Sequence, residues 1–168
     1  IPSSIRSSIY KEIMERLQGR GIQIVVDAEK ALLMEVLPLH PFLIKPNNHE
    51  LEAMLGRTLS TKEEVLEGAK ELQALGARNV LVSMAGDGAV LLTEDGAVYR
   101  EGVCRGTVVN SVGAGDSMVA GFLAGYLKTG DYGYALKLGT ASGGATAFSH
   151  GIGSREKIME LFTQLNKK

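Results

Sequence analysis

Four consecutive residues, Gly113-Ala114-Gly115-Asp116, join a permissive backbone to an acid. They follow Val108-Val109-Asn110-Ser111-Val112, which reads as a strand end. They precede Val119, Ala120, Phe122, Leu123, Tyr126 and Leu127, an apolar stripe at helical spacing. Glycine at 113 and 115 allows backbone conformations that a side chain blocks. A turn of this kind aims N–H groups past the start of a helix, where the dipole favours negative charge. That is the chemistry of a phosphate cradle. An acid in the first helical turn would repel a phosphate unless it had a task of its own. Phosphoryl transfer to a hydroxyl supplies one. The amides of the turn would stabilise charge on the transferring group, and Asp116 would orient the attacking hydroxyl and accept its proton. The plain alternative is an ordinary helix start in which Asp116 only complements the dipole. The turn is no Walker P-loop, because it lacks the Lys-Ser or Lys-Thr pair. It is no dinucleotide fingerprint either, because Met118 stands where the third glycine belongs.

Two other segments carry polar residues at strand ends. In Lys45-Pro46-Asn47-Asn48-His49-Glu50, Asn47 and Glu50 are spaced for a magnesium ion held through water, since magnesium keeps most of its water shell. Lys45 would then face phosphate oxygens. A helix cap with a solvated acid explains the same pair without a metal, and His49 reads as a surface residue. Ser83-Met84-Ala85-Gly86-Asp87-Gly88 is a strand end followed by a flexible loop. It suits backbone contact to a nucleotide or a simple hairpin, with Asp87 a turn residue. Cys104, His40 and His150 have no partners at catalytic or metal-ligand spacing.

The elements that must position these segments alternate. Ser3 or Ser4 can cap a helix to about Leu17, with Ile5, Ile9, Ile13, Met14 and Leu17 inward. Ile22 to Asp27 reads as a buried strand, Ala31 to Leu37 as a short helix stopped by Pro38, and Phe42 to Lys45 as a second strand. Asn47 caps a helix ended by Gly56. Thr61, with Glu64 three residues on, opens another whose face is Val65, Leu66, Ala69, Leu72 and Leu75. Asn79 to Met84 is a third strand. Gly88 to Thr93 and Ala97 to Arg100 form a hairpin around Glu94-Asp95-Gly96, and Thr107 to Asn110 is a further strand. Helices over Asp116 to Leu127, Asp131 to Phe148 and Arg155 to Leu165 complete the chain. The alternation implies an α/β fold, a mostly parallel sheet with helices on both faces, in which ligands sit at the carboxyl ends of strands. The three segments converge on that edge.

Bulk properties fit one globular domain. The chain has 168 residues, 45% hydrophobic and 22% charged, with net charge -1, so neither disorder nor a nucleic-acid or anionic-membrane partner is expected. One cysteine excludes an internal disulfide framework. No apolar run reaches transmembrane length and no signal peptide is visible, so a cytoplasmic protein is expected.

Taken together, these segments resemble the ribokinase-like (PfkB) sugar kinase family. Asn110-Ser111-Val112-Gly113-Ala114-Gly115-Asp116, continuing through Ala120-Gly121-Phe122-Leu123, is similar to the family's C-terminal motif. Asn47-x-x-Glu50, after Lys45-Pro46, looks like its magnesium-associated motif. The resemblance implies that Asp116 is the catalytic base and that Gly113, Ala114 and Gly115 form the anion hole. It implies that ATP lies against Lys45, Asn47, Ser83, Ala85, Gly86 and Gly88, with Thr140 and Gly144 beside the adenine. It also implies that Mg2+ is held through water by Asn47 and Glu50. The Lys-Pro-Asn-x-x-Glu-Leu and Val-Ser-Met-Ala-Gly-Asp-Gly-Ala segments look most like the bacterial 1-phosphofructokinase and tagatose-6-phosphate kinase branch, with 1-phosphofructokinase favoured. The expected partners are a sugar phosphate and ATP, and the resemblance leaves room for a homodimeric parent. It covers the C-terminal half of the family, Ile1-Pro2 looking like the point after a mid-chain turn. A single-domain fragment is therefore expected, inactive alone and exposing an apolar sheet edge.

Overall fold

Short apolar runs become strands and capped amphipathic runs become helices. The computed structural model describes residues 6 and 8–167. Its strands are β1 (Val25–Val26), β2 (Leu43–Ile44), β3 (Asn79–Ser83), β4 (Ala89–Leu92) and β5 (Val98–Glu101). They hydrogen-bond in the order β1-β2-β3-β4-β5. The helices are α1 (Ile9–Leu17), α2 (Lys30–Val36), α3 (Asn48–Leu55), α4 (Lys62–Ala74), α5 (Ala114–Thr129), α6 (Tyr132–Ala147) and α7 (Arg155–Leu165). None of the described helices is long and apolar enough to cross a membrane. The chain divides into two compact units, Ile1–Val82 with Leu92–Ala97, and Ser83–Leu91 with Val98–Lys168.

In the first unit β1, β2 and β3 run parallel, Val26 pairing with Ile44 and Ile44 with Val80. Helices make the crossovers, as parallel strands require. Leu43, Ile44, Val80, Leu81 and Val82 are wholly buried, the continuous apolar pattern of a strand covered on both faces. The caps are those the sequence announces. Asn47 and Glu50 close a reciprocal capping box on α3, Thr61 and Glu64 another on α4, and Gly56 ends α3 in the left-handed region. Buried Asn79 satisfies its amide by donating to Phe42 O at 2.7 Å and accepting from Glu94 N at 3.0 Å. The turn at Glu94-Asp95-Gly96 is closed by Thr93 N to Ala97 O, 3.0 Å, with Gly96 at φ 82.

In the second unit α5 and α6 cross closely, α6 packs on α7, and β5 lies against α6. Glycines make the crossing. A Cβ on Gly121 would come 2.2 Å from Ser142 Oγ, and one on Gly139 would come 2.8 Å from Met118 O. The face that α5 buries is Met118, Gly121, Phe122 and Gly125.

Several expectations are corrected. The α5 stripe turns toward its small residues, and Leu127 is 78% exposed. The helix begins at Ala114, two residues before Asp116. Thr107 to Asn110 is no strand. Its Val109 and Asn110 amides both donate to Ala147 O, at 2.8 and 3.2 Å, so a helix end takes the place of a partner strand. The strands expected over Ile22 to Asp27 and Phe42 to Lys45 contract to two paired residues each, and Ile22 is exposed. Ser3, Ser4 and Ile5 lie outside the described residues; α1 follows Ser8 and buries Met14, leaving Ile13 exposed.

Candidate active site

In the second unit the glycine turn is assembled by short-range bonds. Asn110 Oδ1 accepts from Val112 N at 3.0 Å, and Ala114 N donates to Ser111 O at 3.1 Å. Gly113, at φ 77, is the N-cap of α5. A Cβ there would stand 4.0 Å from Thr146 Cγ2, so backbone conformation and not space requires glycine. Having no side chain, Gly113 caps none of the helix's first amides, which have no intrahelical acceptors. Asp116 lies in that first turn and is exposed. The start of α5 thus has no side-chain cap, the Ala114 amide is turned back to Ser111 O, and a solvent-facing acid stands in the first turn.

In the same unit Ser83 ends β3, and Ala85–Asp87 make one exposed 3-10 turn. The loop closes through Met84 N to Gly88 O at 2.8 Å and Asp87 N to Met84 O at 2.9 Å. Gly88, at φ 93, is pressed on β5; a Cβ would meet Glu101 O at 2.2 Å. Gly86 is open, with nothing within 4 Å. Ala85 is held at φ 45, a conformation that costs a non-glycine residue about 1 kcal/mol or more and that collects at functional turns.

Thr140 and Gly144 share one face of α6, and the structure treats them differently. Thr140 is buried, and its Oγ1 has no hydrogen-bond partner. Gly144 faces protein: a Cβ would meet Cys104 Cβ at 3.1 Å and Leu161 Cδ1 at 3.4 Å. Cys104 belongs to a core cluster with Ala141, Ala145, Leu161 and Leu165. The glycines of α6 therefore have protein neighbours, α5 at Gly139 and Gly143 and Cys104 at Gly144.

The first unit carries the Lys45 segment. Lys45 is only 6% exposed, and its Nζ lies 3.3 Å from Asp27 Oδ2. Sequence reasoning passed over Asp27. The available signal was register, since Asp27 and Lys45 directly follow the paired Val26 and Ile44. Asn47 and Glu50 face each other, Glu50 Oε2 accepting from Asn47 N and Asn47 Oδ1 from Glu50 N, both at 2.8 Å. The cap is thus real, and a magnesium ion would meet a carboxylate with one oxygen already engaged. Among the described residues no group of three or more His, Cys, Asp or Glu could hold a metal, so any such ion would keep much of its water. His49 is a surface residue beside Glu52. His40 hydrogen-bonds Gly76 O through Nδ1 at 3.0 Å, tying together two segments distant in sequence.

The profile of the pfkB family carbohydrate kinases matches residues 1–158. A 1-phosphofructokinase of Bacillus subtilis is 44% identical over 98% of this chain and 54% of its own length. A D-tagatose-1-phosphate kinase of Klebsiella oxytoca is 34% identical over the same shares, 98% and 54%. Among solved structures, a Staphylococcus aureus protein provisionally called a phosphofructokinase superposes with a TM-score of 0.92 at 39% identity, over 98% of this chain and 53% of its own. The chain spans about half the length of the curated relatives it matches. The tagatose relative is named for the 1-phosphate, where the sequence suggested the 6-phosphate.

Proposed function

Because the chain belongs to the pfkB family of carbohydrate kinases, we propose that it is the nucleotide-binding C-terminal half of an ATP-dependent sugar-phosphate kinase. The proposed reaction moves the γ-phosphoryl group of ATP to the 6-hydroxyl of fructose 1-phosphate, giving fructose 1,6-bisphosphate. The relatives' names support this substrate class, since both denote a ketohexose phosphorylated at carbon 1. D-tagatose 1-phosphate is the second substrate to try.

The observation that carries the reading is the uncapped start of α5 with Asp116 in its first turn. Asp116 orients the sugar hydroxyl and takes its proton as the new oxygen–phosphorus bond forms and the bond from the γ-phosphorus to the departing ADP breaks. The amides of the Gly113–Asp116 turn stabilise the charge that develops on the phosphoryl oxygens. ATP with Mg2+ supplies the phosphoryl group and neutralises part of its charge. Lys45, once drawn from Asp27, faces phosphate oxygens, and Asn47 and Glu50 hold magnesium waters. Ser83, Ala85, Gly86 and Gly88 line the nucleotide. Thr140 offers a buried hydroxyl for which the protein provides no partner, so a base could complete it. At Gly144 the protein itself fills the space, and that residue acts by letting Cys104 approach.

The test is Asp116→Ala in the full-length protein, assayed with fructose 1-phosphate and Mg-ATP. Turnover should fall about 10²- to 10⁴-fold, the usual worth of a positioned base, with the melting temperature unchanged. Retained turnover would sink the reading and favour a non-catalytic nucleotide-binding module. The chain alone should produce no sugar bisphosphate.

A further inference from the structure

Several hydroxyls in or just after the helices bond back to their own helix. Ser142 Oγ donates to Leu138 O, Ser149 Oγ to Ala145 O, Thr129 Oγ1 to Gly125 O and Thr163 Oγ1 to Met159 O, the back-bonding expected of Ser and Thr in or just after a helix. Thr146 departs from this habit. It is 2% exposed, and its Oγ1 accepts from Gly153 N at 3.0 Å and donates to Ser117 Oγ at 2.8 Å. Its hydroxyl therefore leaves α6 and ties the segment after that helix to the first turn of α5. Ser117 follows Asp116 directly, and its own amide closes that turn on Gly113 O at 2.9 Å. One residue beyond Thr146, Ala147 O takes the Val109 and Asn110 amides. The last turn of α6 thus grips the glycine turn from both sides.

We propose that Thr146 is a positioning residue for phosphoryl transfer, its hydroxyl bridge fixing where the first turn of α5 places Asp116 and the neighbouring amides. The proposal rests on the kinase reading above. The bridge contributes in the transition state, where a displacement of about 1 Å can cost about 100-fold in rate. Asp116 and the turn amides act chiefly on the proton and charge that move in the transition state, so kcat is affected more than KM.

The experiment compares Thr146→Val, Thr146→Ser, Ser117→Ala and the Thr146→Val/Ser117→Ala double variant in the full-length kinase, reading kcat, both KM values and melting temperature. Thr146→Val keeps the volume and removes the bridge. It should lower kcat about tenfold with KM within about twofold, and Thr146→Ser should restore kcat. Ser117→Ala should cause a similar loss, and the double variant should be no worse than either single, because one bridge is removed in all three. A lowered melting temperature with kcat within twofold of the parent would overturn the proposal, as would losses that multiply in the double variant. Should Thr146→Val fail to fold, half-buried Ser117→Ala carries the same expectation. A parent active on sugar phosphate and disabled by Asp116→Ala, yet indifferent to these variants, overturns this proposal alone. A parent without kinase activity overturns both.

Discussion

Asp27 and Lys45 stand side by side because β1 and β2 are parallel with Val26 opposite Ile44; Asp27 Oδ2 and Lys45 Nζ are 3.3 Å apart. The lysine is the buried member, its side chain 7% exposed against 33% for the aspartate. Removing the carboxylate leaves an ammonium in a nearly dry site, whereas removing the ammonium leaves an acid that water can reach.

Asp27→Ala should therefore cost more stability than Lys45→Met, about 2 kcal/mol against about 1 kcal/mol, below the usual range for a fully buried pair because one partner is partly solvated. Urea unfolding of both variants and of the double variant checks the order. A Lys45→Met variant less stable than Asp27→Ala would contradict it.

Asn47 and Glu50 allow the cap to be separated from the proposed metal role. Glu50→Gln keeps an oxygen to accept from Asn47 N and deletes the charge. Asn47→Ala deletes the side-chain acceptor of the box and should cost about 1 kcal/mol. Glu50→Gln should leave the melting temperature near the parent's while raising the magnesium concentration needed for half-maximal activity. An unchanged magnesium requirement would leave the pair as a cap only.

Acid should loosen the start of α4. Glu64 has its carboxyl held below the usual range, chiefly by the Ser60 and Thr61 amides that donate to it. A lowered folded-state value means the stabilisation is complete above the ordinary Glu value and disappears as pH falls through the lowered one. Stability should be level from pH 7 to about 5 and decline below that. Glu64→Gln keeps an acceptor and does not titrate, so its acid limb should be shallower in chemical denaturation followed against pH.

The residues that announce themselves in this sequence do so through local chemistry. Asn47, Thr61 and Asp131 cap helices, Gly56 and Gly96 take positive φ, and Gly113 does so at the start of the helix whose first turn holds Asp116. Each is decided within a few residues of chain. What stayed hidden depends on a distant neighbour. Asp27 acquires its partner through strand register, and Thr146 acquires Ser117 across two helices. The buried face of α5 departs from its hydrophobic stripe because periodicity gives glycine little weight, while a close crossing buries glycine first. The missing strand at Thr107–Asn110 is a similar case: β-branched residues favour extension, but extension becomes a strand only beside a partner.

Gly139 and Gly86 make opposite predictions from the same substitution. A Cβ at Gly139 would stand 2.8 Å from Met118 O and 3.2 Å from Phe122 N, backbone atoms that cannot swing aside. Gly139→Ala should force α5 and α6 apart and cost about 1–3 kcal/mol, even though alanine is the better helix former by about 1 kcal/mol. Gly86 has nothing within 4 Å of its added Cβ and no positive φ, so Gly86→Ala should stay within about 0.5 kcal/mol of the parent. If the exposed loop at Ala85–Asp87 lies against the nucleotide, that methyl group should still raise the KM for ATP several-fold while leaving the KM for sugar phosphate alone. Thermal melting and steady-state kinetics on the two variants decide both points. A Gly86→Ala enzyme with unaltered ATP kinetics would remove the loop from the nucleotide site, and a Gly139→Ala protein as stable as the parent would mean that the crossing has more slack than its distances allow.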